Sequence, residues 1–216
     1  MNAAVLDHHG HAHGEPHAST APGHGTGGPA EKRIIVGYGF WIFLLSDIIM
    51  FSAFFAAYAC LAPATADGPA ARQIFNPNSV AIETACLLLS SFTCGLASVA
   101  ASQRNMKWTQ AALLVTGLLG FAFLLLETRE FADLVARGDG PTRSAFLSSF
   151  FTLVGCHGLH VTAGLLWLGT MMAQIHAKGF RRDIQHRYFC FTLFWHALDI
   201  IWVAIFGLVY LVGLHL

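Results

Sequence analysis

A histidine and an aspartate, His196 and Asp199, lie three residues apart in an apolar stretch long enough to cross a bilayer. At this spacing both side chains lie on one face of a helix, beside Trp195 and Trp202. An ionisable group is costly to hold in hydrocarbon, so its presence indicates either chemistry within the membrane or a hydrogen-bonded partner. The same question arises at six other acidic or histidine residues inside apolar stretches: Asp47, Glu83, Glu127, Glu130, His157 and His160.

Haem ligation is one chemistry that two histidines could support. His160 and His196 fall at matched depth in their apolar stretches, and imidazoles are common axial ligands of haem iron. However, Trp195 leaves little room for a porphyrin, and Asp199 shares the face of His196. The pattern therefore favours a hydrogen-bonded His–Asp network that fixes helix packing. The sequence contains no compact set of three or four ligands that would indicate a zinc or copper site.

Asp47 falls in the middle of the first apolar stretch. A carboxylate at that depth costs about 2.5–3.5 kcal/mol, so we expect it to be neutral or hydrogen-bonded and to face other helices. Two roles stay open for Asp47. It is either a proton-carrying or gating carboxyl, or the partner of a His or Ser in an interhelical hydrogen bond.

Three glutamates lie nearer the ends of their apolar stretches. Glu83 is a few residues inside the second stretch and is expected to reach the lipid headgroups or the interface. Glu127 and Glu130 are three residues apart near the end of the third, with Arg129 between them. This arrangement predicts an ion-pair cluster that anchors the chain at the membrane surface.

Five apolar segments must position these side chains. The composition is 55% apolar and only 11% charged, against about 25% charged in soluble domains. A spanning helix needs about 20 mainly apolar residues. Five segments satisfy this requirement: 34–62, 78–101, 108–132, 144–175 and 188–214. The sequence thus predicts an all-α, polytopic membrane protein whose five transmembrane helices form a bundle, with small residues at 155, 158, 163 and 164 allowing close helix approach.

The chain divides into two regions by composition. Residues 1–30 carry six histidines in a Gly-, Ala- and Pro-rich segment without apolar periodicity, which predicts a disordered cytoplasmic tail. Residues 31–216 form the predicted membrane domain. Eight Lys or Arg residues flank the spans on the N-terminal side and four on the other, which predicts a cytoplasmic N-terminus and a periplasmic C-terminus. Basic and acidic residues number 12 each, so charge gives no indication of a nucleic-acid partner.

Six motifs in a fixed order resemble subunit III of the haem–copper terminal oxidases over nearly all of residues 34–214. The motifs are Gly39–Asp47, Glu83–Ser91, Glu127–Phe131, Ser144–Phe151, Gly155–Val161 and Phe194–Trp202. Within that family, five spans together with Ser46-Asp47 and Glu83-Thr84 are similar to the cytochrome bo-type ubiquinol oxidases.

The resemblance implies an accessory, non-catalytic subunit of a proton-pumping oxidoreductase complex that reduces dioxygen to water in the bacterial inner membrane. It implies oxidase subunits I and II and a small subunit IV as partners. Haem and copper would lie in subunit I and no cofactor in this chain, while membrane lipids, including bound phospholipid, would fill a cleft between helix bundles. Such a subunit supports the stability and proton uptake of the catalytic subunit.

The resemblance also implies roles for individual residues. Asp47 aligns with a buried carboxyl of the family, which is usually Glu. The packing or lipid-cleft residues would be Glu83, Glu127, Glu130, His157, His160, His196 and Asp199. The alternatives are subunit III of a bacterial cytochrome c oxidase and, from another class, an independent haem-binding cytochrome that uses His160 and His196. A proton-coupled transporter built around Asp47 is disfavoured because the sequence shows no internal repeats.

Overall fold

The backbone consists of long helices joined by short turns. The computed structural model describes residues 32–66 and 77–212, with no β-strand among them. The helices are α1 (Lys32–Leu61), α2 (Pro77–Ser102), α3 (Met106–Ala136), α4 (Ala145–Lys178) and α5 (Arg182–Ile205), and α5 continues as a π-helix over Phe206–Val212. All five α-helices are long and apolar enough to cross a membrane, which confirms the predicted fold class. The predicted tail at 1–30 lies outside the described residues.

Local capping determines where several helices begin and end. The Asn105 side chain accepts a hydrogen bond from the Trp108 backbone N–H and so starts α3. Ser144 does the same for α4 by accepting from the Leu147 N–H. Gly179 ends α4 with φ +66°, a conformation that favours glycine. These caps satisfy backbone groups that would otherwise lack partners at the membrane boundary.

The described helices pack as a ring of four with α1 on its outside. Helix α2 packs against α3, α3 against α4, α4 against α5, and α5 against α2. Helix α1 packs against α4 and α5 and leaves most of its surface exposed. Successive spans alternate in direction. We therefore call the end of the bundle where α1, α3 and α5 begin the near end, and the opposite end the far end.

The centre of the ring is held by one tryptophan between two glycines. Trp195 on α5 is only 2% exposed. A Cβ atom on Gly120 of α3 would lie 2.9 Å from its ring, and a Cβ on Gly164 of α4 would lie 3.0 Å from it. The indole Nε1–H also donates to Ser90 Oγ on α2 at 3.2 Å. One side chain therefore contacts three neighbouring helices, and both glycines are needed for its ring to fit.

Candidate functional site

Asp47 lies halfway along α1 and faces a histidine of α4. Its Oδ2 atom is 4.0 Å from His160 Nε2, and their side chains are 15% and 22% exposed. The Nδ1 of His160 is 2.8 Å from the Cys156 carbonyl oxygen, and because a carbonyl only accepts, Nδ1 carries the proton of this bond. The Nε2 atom therefore faces the carboxyl. A carboxyl oxygen and an imidazole nitrogen thus face each other across the α1–α4 contact.

Aromatic rings surround the Asp47–His160 pair. The Phe51 ring, one turn further along α1, lies 5.3 Å from the His160 ring, and the Phe194 ring of α5 lies 6.5 Å from it. The distance of 4.0 Å between Asp47 and His160 is longer than a direct hydrogen bond. The sequence left a choice between a proton-carrying carboxyl and an interhelical contact. The structure places Asp47 at an interhelical contact whose partner can also exchange a proton.

A second polar array joins α2 to α5, and we call it the polar seam. It consists of Thr84, Ser90, Ser91 and Ser98 on α2 and of Tyr188, Thr192, Trp195, His196 and Trp202 on α5. On each helix, members of the seam recur every seven residues, so they follow one helix face. These positions are 84, 91 and 98 on α2 and 188, 195 and 202 on α5. Polar contacts of this kind hold membrane helices together, because hydrocarbon offers no alternative partner.

Two bonds of the polar seam are well defined in geometry. Ser91 Oγ lies 2.7 Å from His196 Nδ1, and Trp202 Nε1 donates to Thr84 Oγ1 at 3.1 Å. Asp199 interacts with both Ser91 and His196. His196 and Asp199 thus share Ser91 as a neighbour, while Asp199 Oδ1 has no hydrogen-bond partner among the described residues, and the His–Asp network stays a prediction. Ser91 is the member that sequence reasoning missed, although the heptad spacing of small hydroxyl residues on α2 was a signal for it.

The structure does not bring His160 and His196 to a common ligand site. His160 faces Asp47 on α1, whereas His196 bonds to Ser91 on α2. Across residues 32–66 and 77–212, no group of three or more His, Cys, Asp or Glu side chains is arranged to hold a metal ion. The two histidines therefore have separate partners on different helices, and these contacts give the haem hypothesis no support.

His157 packs as an aromatic ring in the interior. It is fully buried and stacks on Trp202 with a centroid distance of 5.3 Å. The Phe123 and Phe51 rings stand steeply inclined to it, with centroid distances of 5.9 Å and 6.4 Å. Neither ring nitrogen of His157 has a hydrogen-bond partner among the described residues. An uncharged imidazole suits this apolar cage, since an unpaired buried charge would be costly.

Glu83, Glu127 and Glu130 form a carboxyl cluster towards the far end of the bundle. The three side chains lie close enough to interact electrostatically. Glu83 is fully buried and Glu127 is 4% exposed, and their carboxyl oxygens have no hydrogen-bond partner among the described residues. The headgroup or interface contact expected for Glu83 is therefore wrong, and so is the surface ion-pair cluster expected for Glu127.

The geometry of α3 explains this correction. Arg129 is exposed, whereas Glu127 points inward, because residues two apart lie on different faces of a helix. Helix α3 also extends to Ala136, so Glu127 lies nine residues from its end and about 13 Å deep. A cavity of about 240 Å³, lined in part by Glu130, Arg129 and Arg137, opens beside the cluster.

Five apolar helices whose polar side chains meet one another inside the bundle define a multi-pass membrane protein. Over residues 22–214 the sequence matches the family described as cytochrome c oxidase subunit III, and the chain belongs to this family. This match confirms the resemblance that the six motifs predicted. A third subunit is by definition part of a larger oxidase complex, so other oxidase subunits are implied as partners.

Curated relatives cover nearly the whole chain. Cytochrome bo(3) ubiquinol oxidase subunit 3 of Pseudomonas aeruginosa is 46% identical over 213 residues, which is 99% of this chain and 97% of the relative. Quinol oxidase subunit 3 of Bacillus subtilis is 40% identical over 82% of this chain and 86% of the relative. Cytochrome c oxidase subunit 3 of Bacillus sp. PS3 is also 40% identical, over 82% of this chain and 85% of the relative.

Proposed function

We propose that this chain is the non-catalytic third subunit of a proton-pumping ubiquinol oxidase in the bacterial inner membrane. The observation that carries the proposal is the similarity, over 99% of the chain, to a protein named as a ubiquinol oxidase subunit. Subunits I and II and a small subunit IV are the proposed partners, with haem and copper in subunit I. The buried polar groups of this chain support a structural role, because the polar seam uses them to join helices.

The electron donor is tested on the intact complex. Purified in mild detergent through a tag on this chain, the complex is expected to contain the larger oxidase subunits and to consume oxygen with ubiquinol. A complex that consumes oxygen with reduced cytochrome c and not with ubiquinol would instead establish the alternative, a cytochrome c oxidase. That alternative is supported by the relative from Bacillus sp. PS3, which carries that name.

The proposed orientation places the near end in the cytoplasm. The turns at the near end carry Arg104, Lys107, Lys178 and Arg181, and basic residues are enriched on the cytoplasmic side of membrane proteins. A reporter enzyme that is active only in the periplasm, fused to the C-terminus, is expected to be active. The same reporter fused to the N-terminus should be inactive, and activity at the N-terminus alone would reverse the orientation.

The proposed role of the subunit is to sustain the catalytic subunit during turnover, by holding lipids and supporting proton uptake. The Asp47–His160 pair lies at mid-depth and can exchange a proton, which supports a part in this role. Asp47→Asn removes the exchangeable proton and keeps the shape of the side chain. The variant complex is expected to assemble normally and to lose oxygen-consuming activity faster than wild type over prolonged turnover.

Asp133→Asn is the matched control for Asp47→Asn, since Asp133 is an exposed carboxyl on α3 near the far end. It should lose activity at the wild-type rate. If Asp47→Asn also kept wild-type activity throughout prolonged turnover, a proton-linked role for Asp47 would be excluded. Asp47 would then be a packing residue between α1 and α4.

A further inference from the structure

A groove runs along the outside of the bundle between α2 and α3 at the near end. Its volume is about 560 Å³, and its walls are mainly apolar, with polar side chains at Thr93, Gln103 and Asn105. The small side chains of Ala100, Ala111 and Ala112 form the depression, and Trp108 stands at its mouth with 69% of its surface exposed. No described segment of the chain covers the groove, since α1 packs on α4 and α5 instead. Among the described residues, the groove is therefore open to the surroundings of the chain.

The length of the groove distinguishes a lipid chain from a helix of another protein. The lining begins at Gln103 in the turn and ends at Thr93 on α2 and Val115 on α3. Both Thr93 and Val115 lie nine residues from the near end of their helices, which is about 13 Å along the helix axis. One leaflet is half of a hydrocarbon core about 30 Å thick. The groove thus has the length of a single leaflet, whereas a transmembrane helix would need a contact surface across both.

Charge at the mouth of the groove selects the headgroup. Arg104 and Lys107 lie in and beside the turn that closes the groove, and both side chains are exposed. Neither forms an ion pair with a described residue, and no Asp or Glu occurs in the sequence between Glu83 and Glu127. Basic residues at the cytoplasmic end of membrane helices attract anionic headgroups. An indole at this level, such as that of Trp108, is typical of the interface between headgroups and acyl chains.

We propose that this groove binds one anionic phospholipid of the leaflet at the near end. Its phosphate lies between Arg104 and Lys107, and one acyl chain follows the alanine-lined depression as far as Thr93 and Val115. The site deepens the proposed lipid-holding role and rests on it. The proposed site requires a negatively charged headgroup and a lipid from one leaflet only. It lies between α2 and α3, on the side of the four-helix ring away from α1.

The site is tested on the intact oxidase complex by direct detection of lipid. The complex is reconstituted into phosphatidylcholine vesicles that contain photoactivatable phosphatidylglycerol, and crosslinked peptides are identified by mass spectrometry. Crosslinks are expected in the α2–α3 turn and along the groove. In a competing reaction, unlabelled phosphatidylglycerol should remove them and additional phosphatidylcholine should not. This readout does not use oxidase activity, so it can fail while the proposed function stands.

Two variants of the groove separate the contributions of charge and shape. Arg104→Gln with Lys107→Gln removes both headgroup contacts and is expected to weaken phosphatidylglycerol binding about 30-fold, at about 1 kcal/mol for each charge. Ala111→Phe fills the depression from an exposed position and should abolish the crosslinks along the groove. These losses, with intact subunit composition, would support the site.

Matched controls exclude general effects of charge and size. Lys178→Gln with Arg181→Gln removes two exposed charges from the other near-end turn, and Ala132→Phe adds the same ring at an exposed position of α3 towards the far end. Both should bind phosphatidylglycerol like wild type. Equal crosslinking by phosphatidylcholine and phosphatidylglycerol analogues would overturn the headgroup assignment. Loss of a partner subunit in Ala111→Phe, or no groove crosslinks in wild type, would overturn the lipid site itself.

Discussion

The packing of Trp195 gives a quantitative test of the fold through the substitution Gly164→Ala. A Cβ atom at this position would lie 3.0 Å and 3.2 Å from two atoms of the Trp195 ring. The ring has little room to shift, because a Cβ on Gly120 would lie 2.9 Å and 3.0 Å from two other ring atoms and its Nε1–H is bonded to Ser90. Overpacking of a rigid interior costs about 1–3 kcal/mol. We expect Gly164→Ala to lower the free energy of unfolding by this amount.

The assay is unfolding of the purified chain in mild detergent by added denaturing detergent, followed by circular dichroism. Gly169→Ala is the matched control, because Gly169 lies on the same helix and a Cβ there meets nothing within 4 Å. Replacing glycine in a helix interior is expected to stabilise the control by about 0.5–1 kcal/mol. If both substitutions changed the free energy of unfolding equally, the tight packing of Trp195 between Gly120 and Gly164 would be refuted.

A double-mutant cycle identifies the partner of the introduced methyl group. A phenyl ring at position 195 is shorter than an indole and leaves space beside Gly164 and Gly120. In the Trp195→Phe background, the penalty of Gly164→Ala should therefore fall to less than half of its value in wild type. A penalty that stays unchanged in this background would show that the clash lies elsewhere, for example with Phe194, whose ring is 3.3 Å from the same Cβ position.

Three further substitutions test the described contacts by the same assay. Ser91→Ala removes the bond to His196 across the polar seam and should destabilise the chain by about 1 kcal/mol, while the exposed Ser102→Ala should have no measurable effect. Trp202→Phe removes a hydrogen bond and the surface on which His157 stacks, and should destabilise by about 2–3 kcal/mol. Gly117→Ala should cost less than Gly164→Ala although its nearest contact is only 2.8 Å, because that contact is the tip of a flexible leucine.

The sequence was sufficient to predict the five transmembrane spans and their order along the chain. The lengths of the apolar segments located five helices, most of whose ends are correct to within a few residues. Length is informative because a chain that crosses hydrocarbon must form its backbone hydrogen bonds within the segment, as a helix does. The π-helix at Phe206–Val212 was not predictable in the same way. Its backbone bonds differ from those of an α-helix, but its apolar composition does not.

The site was predictable in its residues but not in their pairing. Spacing placed His196 and Asp199 on one face, and both residues lie within α5. The partner Ser91 depends on how α2 is rotated and which helix lies beside it, and neither follows from a single helix pattern. Glu127 was placed too near the surface because the predicted third span stopped at 132, whereas α3 continues to Ala136. Four extra residues lower this carboxyl by about 6 Å.

The polar seam has a consequence for the synthesis of the chain. Its bonds join α2 to α5, and Ser91 and His196 are 105 positions apart in sequence. Translation proceeds at about 5–20 residues per second, so the hydroxyl face of α2 waits about 5–20 s before its partner emerges. During that interval the hydroxyls of Thr84, Ser90 and Ser98 can bond only to backbone carbonyls of their own helix, as they also do in the folded chain. A chain that ends before α5 therefore lacks every interhelical bond of the polar seam, so α2 and α5 are joined only once the last span is in place.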